Sequence, residues 1–107
     1  MAQIVWTEPA VANLNDIAEY IALDNFTAAR SLVQRVFSVV ERLEQFPESG
    51  RIPPELTDSR YREVIVGPCR VFYRYQVEQE KVLILYVMRA ERMLRNYLIE
   101  EKAKLNK

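Results

Sequence analysis

A chain of 107 residues, half of them hydrophobic and 28% charged, fits one globular domain whose core needs no disulfide or metal staple. A single cysteine, Cys69, and no histidine exclude an internal disulfide and the usual Cys/His zinc site, and two Gly and five Pro argue against disorder. Fifteen basic residues cancel fifteen acidic ones, which excludes the global positive field of a general nucleic-acid binder.

Ile4-Val5-Trp6 is a short apolar run closed by Thr7, Glu8 and Pro9, and reads as a strand that stops at a helix start with Thr7 as the N-cap. Val11, Leu14, Ile17, Ala18 and Ile21 then recur at spacings of three and four, one apolar stripe on a helix ending near Leu23. Asp24-Asn25 offers the next cap. The second helix carries Ala29, Leu32, Val33, Val36, Phe37, Val40 and Leu43 on one face, with Arg30, Gln34, Glu41 and Glu44 opposite, and stops at Pro47. Two amphipathic helices joined by so few residues form an antiparallel hairpin, and its apolar faces require a sheet.

Residues 47–60, with Pro47, Gly50, Pro53 and Pro54, read as a loop. Three strands follow at 61–66, 70–77 and 81–88, linked by Gly67-Pro68 and a charged turn around Glu78 to Glu80, the spacing of an antiparallel meander. Alternation places Val71, Tyr73 and Tyr75 on one face of the middle strand and Arg70, Phe72 and Arg74 on the other. Met93, Leu94, Tyr97 and Leu98 amid charges read as a short C-terminal helix. The expected fold is therefore a single α+β domain over residues 1–107: an N-terminal strand, an antiparallel helical hairpin packed on an antiparallel sheet, and the C-terminal helix. The core is expected to join Leu14, Ile17, Leu32, Val36, Phe37 and Val40 to Val64, Val71, Tyr73 and Ile84.

No window approaches the apolar length of a membrane span, and the N-terminus lacks a secretory pattern, so a cytoplasmic protein is expected. Two glycines cannot build a phosphate-cradling loop, and no carboxylate cluster has metal-ligand spacing, so neither cofactor nor metal is expected. Cys69, at the entry to a strand, reads as a small half-buried hydrophobe.

The chemistry concentrates in Arg62, Arg70, Tyr73, Arg89 and Arg92. Arginine seldom buries without a partner, so cations in two apolar strands call for a carboxylate, a solvated edge or an anionic ligand. Antiparallel pairing brings the start of the middle strand to the end of the third, so Arg70 and Arg89 would share one edge of the sheet. Guanidinium groups gathered there would bind phosphate or carboxylate bidentately; the alternative is that each pairs with Glu63, Glu91 or a neighbouring carboxylate and closes the sheet end. Tyr73 and Tyr75, in phase with Val71, fit the core with a solvated hydroxyl. Charge is also divided along the chain: residues 1–50 hold three basic and seven acidic groups (−4), residues 51–107 twelve and eight (+4).

With this order of elements the chain resembles the RelE/ParE superfamily of toxins from type II toxin-antitoxin modules. The resemblance rests on Ala28-Ala29 opening the second helix, Leu43 before Pro47 and Gly50-Arg51, Arg62 with its hydrophobic strand, Arg70-Val71-Phe72-Tyr73-Arg74, Val82 to Val87, and Arg89 to Arg92, from about Val5 to Arg92. It implies a small cytoplasmic bacterial protein in a hetero-oligomer with a cognate antitoxin that wraps its surface. Two target classes share the fold: RelE-like members cut messenger RNA in the ribosome, whereas ParE-like members act on DNA gyrase, the type linked to plasmid stabilization.

Three features favour a ParE-like growth inhibitor over an enzyme. A neutral chain of pI 6.3 with four lysines is poorly equipped for ribosomal RNA. There is no histidine to act as acid or base, and Arg89 stands where many relatives carry one. Target contact would then fall to Arg62, Arg70, Arg89 and Arg92. The alternative is a ribosome-dependent endoribonuclease, with Arg70, Arg89 and Tyr73 as its site and Glu48 or Glu55 as base; a second alternative is a non-toxic antitoxin-binding or dimerisation module.

Overall fold

A computed structural model describes residues 1–56 and 60–90. The N-terminal run forms β1 (Gln3–Trp6), and the chain turns at Thr7 into α1 (Glu8–Ala22), with Pro9 in the first turn, where its missing N–H costs nothing. Thr7 has the extended backbone of an N-cap, yet its hydroxyl does not cap the helix. Its Oγ1 donates to the Ile84 carbonyl at 2.7 Å and its N–H donates to the same oxygen at 3.1 Å, pinning the β1–α1 junction to the last strand. α2 (Phe26–Glu41) is capped as expected: Asn25 Oδ1 accepts the Ala28 N–H at 3.0 Å. It tightens into a 3-10 turn at Arg42–Glu44 ahead of Pro47.

β2 (Tyr61–Val66), β3 (Cys69–Gln76) and β4 (Lys81–Arg89) form the expected antiparallel meander. The sheet order is β1-β4-β3-β2, and β1 pairs with β4 in parallel. The sheet is therefore mixed rather than wholly antiparallel. Both helices and two strands intervene between β1 and β4, so no tight turn constrains their relative direction.

The register slips once. Phe72 pairs with Tyr86 but Tyr73 pairs with Ile84, leaving Leu85 as an extra residue in β4. Strict alternation would put Ile84 and Val87 on opposite faces; the bulge returns Val82, Ile84 and Val87 to one buried cluster.

That cluster is the core. Ala10 and Leu14 of α1, Leu32, Val36 and Val40 of α2, and Leu43 cover Val66, Val71, Tyr73, Val82, Ile84 and Val87. Each fully buried aliphatic side chain contributes about 1.5–3 kcal/mol relative to exposure. Ile17 and Val64 pack against the cluster half-buried. Phe37, expected in the core, and Val11, on the apolar stripe of α1, are 47% and 53% exposed. Phe37 lies at the margin of the hairpin, its ring 5.0 Å from that of Trp6. The opposite sheet face has a small cluster of Phe72 and Met88 with Leu56, Tyr61 and Tyr86. The expected C-terminal helix lies outside the described residues.

Candidate functional site

Arg70 is 6% exposed, and each of its three guanidinium nitrogens donates to a carboxylate. Its Nε donates to Glu63 Oε1 at 2.7 Å, while Nη1 and Nη2 donate to the two carboxylate oxygens of Glu55 at 2.7 and 2.8 Å. The guanidinium also lies 5.0 Å from the centre of the Phe72 ring, two residues along the same face. Glu55 above all, and Glu63 after it, hold Arg70 in its charged form against the desolvation that opposes it. Glu63 is reachable because it pairs with Phe72 across β2 and β3, which sets its side chain on Arg70's face. Its second oxygen accepts Arg51 Nε at 2.8 Å, so one buried carboxylate joins two arginines.

The same contacts close the loop after α2. Arg51 and Glu63 exchange backbone hydrogen bonds of 3.0 and 2.8 Å along the outer edge of β2. On the other face the buried Tyr73 hydroxyl accepts the Gly50 N–H at 2.8 Å, and Arg62 Nη1 donates to the Gly50 carbonyl at 2.8 Å. A Cβ at residue 50 would stand 2.6 Å from that hydroxyl and 2.8 Å from the Glu63 carbonyl, so glycine is required by close approach. Burial pushes the Tyr73 hydroxyl above its ordinary pKa, partly offset by the Gly50 hydrogen bond and the nearby Arg62. Tyr73 therefore has no solvated hydroxyl, unlike the expectation.

Arg89 pairs with Cys69 and Arg70 with Met88, adjacent positions whose side chains leave opposite faces. The two arginines share one end of the sheet, as expected, but not one surface. Arg89 lies 5.6 Å from the centre of the Tyr20 ring on α1, beside a cavity of about 240 Å³ that Asn13 and Asp16 also line. Arg92 lies outside the described residues. Glu48 and Arg74 line a separate groove at the far end of the β2–β3 pair, together with Arg62 and Arg60, a residue that no strand pattern singled out. Cys69 is fully buried, and no group of carboxylates and Cys able to hold a metal occurs among the described residues. No described helix is long and apolar enough to cross a membrane.

Arg70, Glu55, Glu63 and Arg51 thus form an ion-pair network, Tyr73 serves the fold, and Arg89 and Arg62 present cations at two other places. The arginines suit contact with an anionic surface more readily than proton transfer.

Comparison with known proteins gives this arrangement a context. The family described as the ParE toxin of the type II toxin-antitoxin system, parDE, matches residues 4–94. Toxin RelE2 of Caulobacter vibrioides is 36% identical over 93 residues, covering 87% of this chain and all of that protein. Putative toxin Y4kP of Sinorhizobium fredii is 33% identical over 82% of the chain and 88% of its own length. Among solved structures, a chain of the chromosomal ParDE system from P. aeruginosa superposes with a TM-score of 0.67 and 26% identity, over 85% of this chain and 98% of that one. The isolated E. coli RelE toxin shares the fold, with a TM-score of 0.55 at 13% identity over 96% and 99% of the two chains. By sequence over nearly its whole length, and by its helical hairpin on a four-stranded sheet, this chain belongs to the ParE toxin family of type II toxin-antitoxin systems.

Proposed function

We propose that this toxin inhibits growth in the cytoplasm by binding DNA gyrase, without ribonuclease chemistry, and is neutralised by a cognate antitoxin in a hetero-oligomer. The observation that supports this reading is the commitment of the residues a nuclease would use. Both outer nitrogens of Arg70 are taken by Glu55, its Nε by Glu63, and the Tyr73 hydroxyl is buried against Gly50. A general acid or base must reach the proton it moves, and among the described residues no such group stands beside an uncommitted arginine at Arg70. Glu48 lines the groove at the other end of β3. Arg62, Arg89 and Arg92 are the proposed contacts to the target, with Arg70 holding the loop that carries Arg51 and Glu55.

An interface protein loses affinity gradually over several residues, whereas a nuclease loses activity by orders of magnitude with its acid or base. Induced expression in cells tests the choice, with gyrase supercoiling and ribosome-dependent cleavage assayed side by side. DNA-damage signalling with intact messenger RNA is expected, and Glu48→Ala should remain toxic. Rapid transcript cleavage at ribosomes without DNA damage would overturn the reading in favour of the endoribonuclease.

A further inference from the structure

The two edges of the sheet are finished differently. Along β2, Arg51 exchanges backbone hydrogen bonds with Glu63 and sets a charged side chain over the edge, devices that discourage a further strand. β1 has neither. The Gln3 and Thr7 N–H groups donate to the Glu80 and Ile84 carbonyls on the β4 side, and in a parallel pair every second residue bonds to the same neighbour. Ile4 and Trp6 therefore turn both N–H and C=O outward, where no described backbone group pairs with them. The strand Gln3–Trp6 also carries no charge, proline or bulge to blunt this edge.

The opening is short. Below it the Ala2 N–H is taken by the Glu44 carbonyl at 2.8 Å, and above it the chain leaves the strand for α1 at Thr7. On the helix face, Ile4, Trp6 and Phe37 line a cavity of about 280 Å³ whose only charged residues are Glu41 and Glu44. Ile4 and Trp6 are half-buried against the core, and Phe37 extends the apolar strip outward from Trp6.

We propose that the β1 edge is an interface between two copies of this chain, paired antiparallel about a two-fold axis at Val5. In that register Ile4 of each copy lies opposite Trp6 of the other. Opposed residues that both face outward exchange two hydrogen bonds, so four bonds satisfy every open group of Ile4 and Trp6 in both copies. Their side chains then meet across the axis, flanked by Phe37 from each side. A second copy suits the opening better than a free peptide. Its strand is already held extended by β4, whereas a flexible segment would lose ordering entropy for the same four bonds. Its own open stretch has the same length, whereas a longer strand would meet the segment that covers Ala2. The contact is small beside the roughly 20–30 residues a side of a standard interface, and it brings Glu41 and Glu44 of both copies to one seam, so the dimer is weak, with a Kd of about 0.1 mM. The interface does not depend on the choice of gyrase as target.

The test is sedimentation equilibrium of the full chain from about 5 to 500 µM, a range that brackets such a Kd. A monomer–dimer equilibrium is expected, and Glu41→Gln should tighten it about threefold by removing a repelling charge. Ile4→Pro removes an N–H that bonds nothing within the single chain, and should weaken association about tenfold or more. Phe37→Ser, at an exposed position the fold tolerates, should weaken it about tenfold and serves if the proline variant does not fold. Ile65→Ser, on the opposite edge strand and 49% exposed, should leave it unchanged. A monomer throughout the range overturns the proposal, as does a dimer that a folded Ile4→Pro or Phe37→Ser leaves as strong. A monomer whose affinity for its antitoxin falls with Ile4→Pro also overturns it, and gives the edge to the antitoxin instead.

Discussion

Glu63 is the residue on which the arginine network turns, because its carboxylate is wholly buried while Glu55 and Arg51 keep 27% and 59% of their side chains exposed. Removing one partner of a buried ion pair strands the other charge out of water, a loss of about 3–5 kcal/mol. Glu63→Gln should therefore lower the urea midpoint strongly, and Glu55→Gln less, since Arg70 keeps Glu63 and the solvent reaches Glu55. Equal losses would show that the loop carboxylate anchors Arg70 as firmly as the strand carboxylate does. Tyr73 gives a pH signature. Its hydroxyl titrates above the ordinary 10.0 when folded, so above pH 10 the unfolded chain holds fewer protons than the native one. The stability Tyr73 contributes is fully present below pH 10 and is lost as pH rises toward and through the folded value. Alkaline denaturation should thus begin above pH 10, and Tyr73→Phe should flatten that fall while lowering stability at neutral pH by about 1–3 kcal/mol, because the buried Gly50 N–H loses its acceptor.

Among the elements, β4 does most to organise the molecule. It lies between β1 and β3, receives the Thr7 bonds at Ile84, and offers its Val87 N–H to Asn13 Oδ1 at 3.1 Å, where β1 has already ended. Ile84, fully buried at the bulge, should cost about 2–5 kcal/mol when cut to Ala. Phe37→Ala should cost far less than an interior aromatic, because half its surface is already in water. Thermal midpoints of the two variants check the ranking. A Phe37 variant as damaged as the Ile84 variant would mean that the hairpin rests on its margin rather than on its buried stripe.

For the molecule as a whole, neutrality conceals a division: −4 over residues 1–50 and +4 over residues 51–107. That polarity suits an antitoxin segment with acidic and apolar residues lying along the C-terminal half, so complex formation should weaken with rising salt. Arg89→Glu should weaken it further in a titration against the antitoxin. Arg70→Glu is a poor probe of the same surface, since reversing a charge between Glu55 and Glu63 would disrupt the fold itself. Affinity indifferent to both salt and Arg89→Glu would remove electrostatics from the account of recognition.

The sequence alone determined what depends on neighbours along the chain. Period-three and period-four stripes marked both helices, Asn25 marked a cap, Gly67-Pro68 and Glu78 to Glu80 marked the turns of the meander, and alternation separated Tyr73 from Arg70. Glu63 was visible as a potential partner of an arginine. Tertiary structure decided whatever depends on which strands meet and in what register. The parallel place of β1 and the diversion of the Thr7 hydroxyl to Ile84 follow from pairing across more than seventy residues, and the bulge at Leu85 from the register that β4 takes on β3; no local pattern encodes either. The same holds for the arginines. Their identities can be read in order, but adjacent register positions send Arg70 to two carboxylates and Arg89 to the opposite face, while Arg62 is drawn to the Gly50 carbonyl. A guanidinium group's role is set by the charges within a few ångströms of it, and those arrive from distant segments only when the sheet closes.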